Sequence, residues 1–143
     1  MNKGLIAHVS IHIHAPNAKV WDALVNPKMI RKYMFGTEVV SEWKEGSPIV
    51  WKGVWEGKSY EDKGIILKIE LGKTLEYSHF SPLSRLPDVP ENYHTLTYKL
   101  SGDGNHTFVS LSQDNNSTEE ARKHSQKMWE SLLTGLKKIL EDS

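Results

Sequence analysis

The chain has 143 residues, 38% of them apolar, with 18 basic side chains against 18 acidic ones for a formal net charge of zero. That length is enough for one hydrophobic core and short for two, so a single domain spanning residues 1–143 is expected. The even charge argues against a nucleic-acid partner, and the lack of cysteine excludes disulfides, thiolate catalysis and thiolate metal sites.

Val9, Ile11 and Ile13 alternate with Ser10, His12 and His14, the period of a strand with one buried face. Ala15-Pro16 ends it. Val20, Trp21, Leu24 and Val25 take helical spacing over residues 18–25, and Asn26-Pro27 stops that helix because the residue before a proline is pushed away from helical angles. A second short helix is expected over residues 28–33. From Thr37 the punctuation changes: residues 39–43, 49–56, 60–71, 74–80, 93–100 and 106–113 read as strands, separated by turns such as Gly46-Ser47, Glu56-Gly57, Gly72-Lys73 and Gly102-Asp103-Gly104. Such tight connections predict an antiparallel meander rather than a parallel sheet. Residues 81–92, with Pro82, Pro87 and Pro90, are too proline-rich for a central strand and read as a loop over a sheet edge or cavity mouth. Asp114-Asn115-Asn116 reads as the turn before the last element.

That element, residues 117–142, is one long amphipathic helix. Ser117 and Glu120 have the spacing of a capping box, and Ala121, Met128, Trp129, Leu132, Leu133, Leu136, Ile139 and Leu140 recur on one face. A helix this long needs an extended apolar partner, which a curved sheet of the preceding strands supplies.

The order of strand, two helices, six strands and terminal helix resembles the helix-grip (Bet v/START-like) fold of the SRPBCC superfamily. Local runs resemble its heat-shock-protein ATPase activator homologue (AHSA-type) subfamily: Val20-Trp21-Asp22-Ala23-Leu24, Tyr33-Met34-Phe35-Gly36, Trp43-Lys44-Glu45-Gly46-Ser47, Gly53-Val54-Trp55-Glu56-Gly57-Lys58 and Tyr77-Ser78-His79-Phe80-Ser81-Pro82. The resemblance implies an α+β fold in which a curved seven-stranded antiparallel sheet wraps around the terminal helix. It also implies binding of lipids, hormones or polyketides, polyketide cyclisation, or stimulation of a chaperone ATPase, with a chaperone as partner in the last case.

Strand alternation then assigns an inner face: Ile49, Trp51, Gly53 and Trp55; Ile65, Leu67 and Ile69; Leu75, Tyr77 and His79; His94, Leu96, Tyr98 and Leu100; Thr107, Val109, Leu111 and Gln113. The expected cavity-lining set is Trp51, Trp55, Leu67, Tyr77, His79, His94, Tyr98 and Gln113 from the sheet, faced by Met128, Trp129 and Leu132 from the helix, with His124 a further candidate. Two readings follow from the same residues. The tryptophans fill the space as a packed core, or an apolar recess with a few fixed polar groups holds a small molecule.

The expected function is therefore binding of a small, largely apolar ligand. The alternatives are a chaperone-linked or other protein-interaction module with a filled core, for which Tyr33-Met34-Phe35 is a contact patch, and a cyclase- or hydrolase-like enzyme using His79 and His94 with Tyr77 or Tyr98 as proton donor. No nucleophile elbow, phosphate loop or dinucleotide fingerprint is present, so no catalytic residue and no cofactor are assigned. His8, His12 and His14 share a strand face, but two neighbouring imidazoles do not close a metal site and none is expected. No run approaches the roughly 20 apolar residues of a membrane span, and residues 1–5 lack a signal-peptide core, which points to the cytoplasm.

Overall fold

In the computed structural model, which describes residues 4–142, the opening alternation becomes β1 (Leu5–Ile13), with Ala7, Val9 and Ile13 buried on one face. Pro16 takes extended angles and starts α1 (Asn17–Val25), which buries Val20, Trp21, Ala23 and Leu24. Asn26 both ends α1 and caps α2 (Pro27–Tyr33), its side chain accepting a hydrogen bond from the Lys28 amide at 3.0 Å. The Tyr33 hydroxyl donates to the Ala23 carbonyl at 2.7 Å and ties α2 back onto α1.

Six strands follow: β2 (Glu38–Ser41), β3 (Pro48–Trp55), β4 (Lys58–Glu70), β5 (Thr74–His79), β6 (His94–Asp103) and β7 (His106–Asn116). They run as an antiparallel meander, and β1 joins at the far edge, giving the order β1-β7-β6-β5-β4-β3-β2. The proline-rich connection between β5 and β6 holds two single 3₁₀ turns, Pro82–Ser84 and Pro90–Asn92. Asp114, Asn115 and Asn116 are the end of β7 rather than a free turn. Asn115 sits at φ 59, which Asn tolerates, and its side chain donates to the carbonyls of Glu91 and Tyr93, so the strand end holds the loop.

On β4 the expected inner face is wrong over its first part. Ile65 and Leu67 are 48% and 43% exposed, while Ile66 is fully buried. Pairing with β3 sets Tyr60, Asp62 and Gly64 opposite Gly53, Trp51 and Ile49, so the even-numbered residues point inward. Pairing with β5 then slips by one residue between Ile66 and Lys68, a bulge that turns Leu67 outward and returns Ile69, opposite Leu75, to the inner side. Gly64 marks a second constraint. A Cβ there would lie 1.7 Å from the Ser78 carbonyl oxygen, so only glycine lets β4 pass this close to β5.

The terminal helix is α3 (Glu119–Glu141), and its N-cap is Thr118 rather than Ser117. The Thr118 hydroxyl accepts from the Ala121 amide at 3.0 Å, which puts Ala121 where a capping box would need a glutamate. Leu132, Leu133, Leu136 and Leu140 are buried in the core. Toward its N-terminus the same face opens: Trp129 is only partly buried and Met128 is 40% exposed. At the other end Lys137 donates to the His12 carbonyl at 2.6 Å, and Glu141 accepts from the His14 amide at 2.8 Å, fastening the helix to the edge of β1. This is the helix-grip architecture, a curved seven-stranded antiparallel sheet holding a long terminal helix. No helix among the described residues is long and apolar enough to cross a membrane.

Candidate functional site

Where α3 stands off the sheet, a recess of about 670 Å³ lies between its first half and the inner faces of β3 to β7. Trp51, Tyr77, His79, His94, Leu96 and Gln113 line it from the sheet, Met128, Trp129 and Leu132 from the helix, and Met34 and Phe35 from the segment after α2. His124 also borders it. Two of the expected wall residues do not reach it. Leu67 is turned outward by the bulge, and Tyr98 lies in the core behind Tyr77, 3% exposed, with its hydroxyl 3.3 Å from that of Tyr77. The side chain of Trp55 lies outside the described residues.

The sequence reading missed Asp62, whose carboxylate is part of the lining. The signal was there to be counted: the tight turn at Glu56-Gly57 sets Trp55 opposite Lys58, and two-residue steps from that pair bring Asp62 opposite Trp51. Asp62 Oδ2 lies 2.9 Å from His79 Nε2, and the two side chains are 14% and 27% exposed. Asp62 Oδ1 is buried with no hydrogen-bond partner, the one such side-chain atom among the described residues. Trp51 packs edge-on against the His79 ring, with centroids 5.0 Å apart.

His94, Gln113 and Trp129 are bonded within the protein. His94 donates from Nδ1 to the Asp114 carbonyl at 2.9 Å, and its ring faces that of His79 across the β5–β6 ladder with centroids 6.5 Å apart. The Trp129 indole donates to Gln113 Oε1 at 2.6 Å, Gln113 Nε2 donates to Ser125 at 3.4 Å, and Ser125 donates to Asn116 Oδ1 at 2.8 Å. This chain of bonds crosses from β7 to α3 and holds the helix side of the recess at a fixed separation from the sheet. A wall of apolar surface with a few immobilised polar groups can orient one small molecule.

Burial raises the pKa of Tyr77 well above the ordinary phenol value and that of Tyr98 to about 12, since a phenolate has no water there to solvate it. Both hydroxyls therefore serve as hydrogen-bonding groups and are poorly suited to release a proton. Tyr98 is also too deep to reach anything in the recess. Tyr33, expected as part of a contact patch, is buried as well, whereas Phe35 beside it is 73% exposed at the recess.

The family model described as "Activator of Hsp90 ATPase homolog 1-like protein" matches residues 14–141. The solution structure of ChR145 from Cytophaga hutchinsonii is 57% identical, with 99% of this chain and 97% of that one covered and a TM-score of 0.87. The Aha1 dimer from Colwellia psychrerythraea is 23% identical over 96% of both chains, with a TM-score of 0.74, and MLL2253 from Mesorhizobium loti is 19% identical over 97% and 98%, with a TM-score of 0.78. The last two show likeness of fold. No curated protein matches the chain significantly.

Proposed function

The chain belongs to the family of activator of Hsp90 ATPase homolog 1-like proteins, and on that premise we propose that it binds a small, largely apolar molecule in the recess between the sheet and α3. The observation that carries this reading is the make-up of the wall, in which aromatic and aliphatic side chains surround one hydrogen-bonded polar pair, Asp62 with His79. The volume supports it, since small-molecule sites commonly measure about 300–1,000 Å³. An apolar body would lie against Trp51, Leu96, Met128 and Leu132, and one polar group of the ligand would meet His79 and His94. The cytoplasm is the proposed setting.

Native mass spectrometry of the protein purified from its own host tests the reading. A small molecule that stays bound under native conditions, and is lost in Leu132→Trp, is the expected result. Absence of any retained mass, together with no chemical-shift change at recess residues when apolar fragments are added, would overturn it.

The family description and the exposed Phe35 support a second reading, a module that acts on a chaperone ATPase. It requires a changed hydrolysis rate when this protein is added to the chaperone, and a smaller change with Phe35→Ala. An unaltered rate would remove it.

A further inference from the structure

On the opposite face of the sheet, at the other end of β7 from Gln113, three histidines meet. His12 and His14 project from the same side of β1 and its continuation, two residues apart. The β1–β7 ladder sets His12 opposite Phe108 and Ile13 opposite Thr107, so His106, at the start of β7, comes beside His14. Their ring centroids are 4.3 Å (His14 and His106), 4.9 Å (His12 and His106) and 5.2 Å (His12 and His14) apart. One ring nitrogen from each lies within 4.8 Å of the others, and His12 Nε2 is 3.1 Å from His106 Nδ1.

We infer that His12, His14 and His106 form a binding site for a divalent transition metal of the zinc class. Tetrahedral zinc holds imidazole nitrogens at about 2.0–2.1 Å, which separates neighbouring ligand atoms by about 3.3 Å. The His12–His106 pair is already at that separation, and small side-chain rotations of surface rings bring in His14. Imidazole suits zinc, copper and nickel, and three protein ligands leave a fourth position to water.

The backbone carrying these rings is fixed independently of any metal. The β1–β7 ladder holds residues 12 and 13, the buried Thr107 hydroxyl donates to the Ala15 carbonyl at 2.8 Å, and the Glu141 carboxylate accepts from the His14 amide. Lys137, the cation next to the cluster, is turned to the His12 carbonyl and to Glu141. A site that needs only side-chain rotation loses little free energy in ordering.

Isothermal titration of zinc sulfate into the untagged full-length protein tests the inference. One equivalent should bind saturably, with His14→Gln and His106→Gln each weakening the affinity by at least ~10-fold. His8→Gln, on the same strand face but outside the cluster, should bind as the parent does. Long-range proton–nitrogen NMR should show His12 Nε2 and His106 Nδ1 as the nitrogens whose shifts move with zinc. Failure to saturate, or parent affinity in both His14→Gln and His106→Gln, would overturn it. The variants face outward and should melt at the parent's temperature, so a loss of binding is read directly.

Discussion

Asp62 and His79, on the adjacent strands β4 and β5, share a hydrogen bond at 2.9 Å in which the second carboxylate oxygen has no partner. A half-satisfied buried pair recovers less than the cost of desolvating its polar groups, and apolar replacement of both partners is often neutral or stabilising. Asp62→Leu with His79→Leu should therefore keep or raise stability in urea denaturation, by up to ~1 kcal/mol for side chains that retain some exposure. Any ligand retained by the parent should be lost from this variant. A stability loss greater than ~2 kcal/mol would identify the pair as a structural element instead.

Gly64→Ala should be among the most damaging single changes available. The added methyl would overlap a backbone carbonyl of β5, which cannot move without breaking the sheet. A loss above ~4 kcal/mol is expected, visible as failure to fold or a collapsed denaturation midpoint. Gly46→Ala, where φ is +85 and the space is open, should lose only ~1 kcal/mol.

The two halves of α3 should respond differently to truncation. Leu136→Ala opens a hole at a fully buried position and should lower stability by ~2–5 kcal/mol with little effect on the recess. Trp129→Ala enlarges the recess and strands Gln113 Oε1. Uptake of an apolar fluorescent dye should rise, with a stability loss of ~1–3 kcal/mol from the unpaired amide. Equal changes in dye uptake for both variants would show that the helix is not divided in this way.

Buried phenols should make the fold sensitive to alkali. Up to about pH 10 the tyrosines are protonated in both folded and unfolded chains and stability is undiminished. Above that the unfolded chain ionises first, and each buried tyrosine subtracts ~1.4 kcal/mol per pH unit until its folded pKa is reached, about 12 for Tyr98. Tyr98→Phe, though losing the bond to Tyr77, should show a shallower decline between about pH 10 and 11 in denaturant titrations. A parallel decline would assign the alkaline loss to other groups.

The fold was legible because its signals are local. Alternation at Val9, Ile11 and Ile13, the Asn26-Pro27 stop and glycine turns each act within a few residues. What escaped depends on neighbours far along the chain. Leu67 is as apolar as Ile66, and only the slipped pairing with β5 decides which of them is buried. Ser117 and Thr118 are both able caps, and the helix starts from the second. The third histidine was invisible for the same reason, since His106 reaches His12 across 94 positions of sequence.

The pairing of β1 with β7 has a consequence for how the chain is made. On the ribosome the first described strand emerges early, yet every ladder partner it has lies in Thr107 to Asn116. Until those residues are out, Val9, Ile11 and Ile13 have no sheet to join, so a nascent chain released before β7 would carry an unpaired apolar strand prone to self-association. Closing so long a loop is slow, and the sheet edge, the grip of Lys137 and Glu141 on β1, and the three-histidine cluster all form in that one late event.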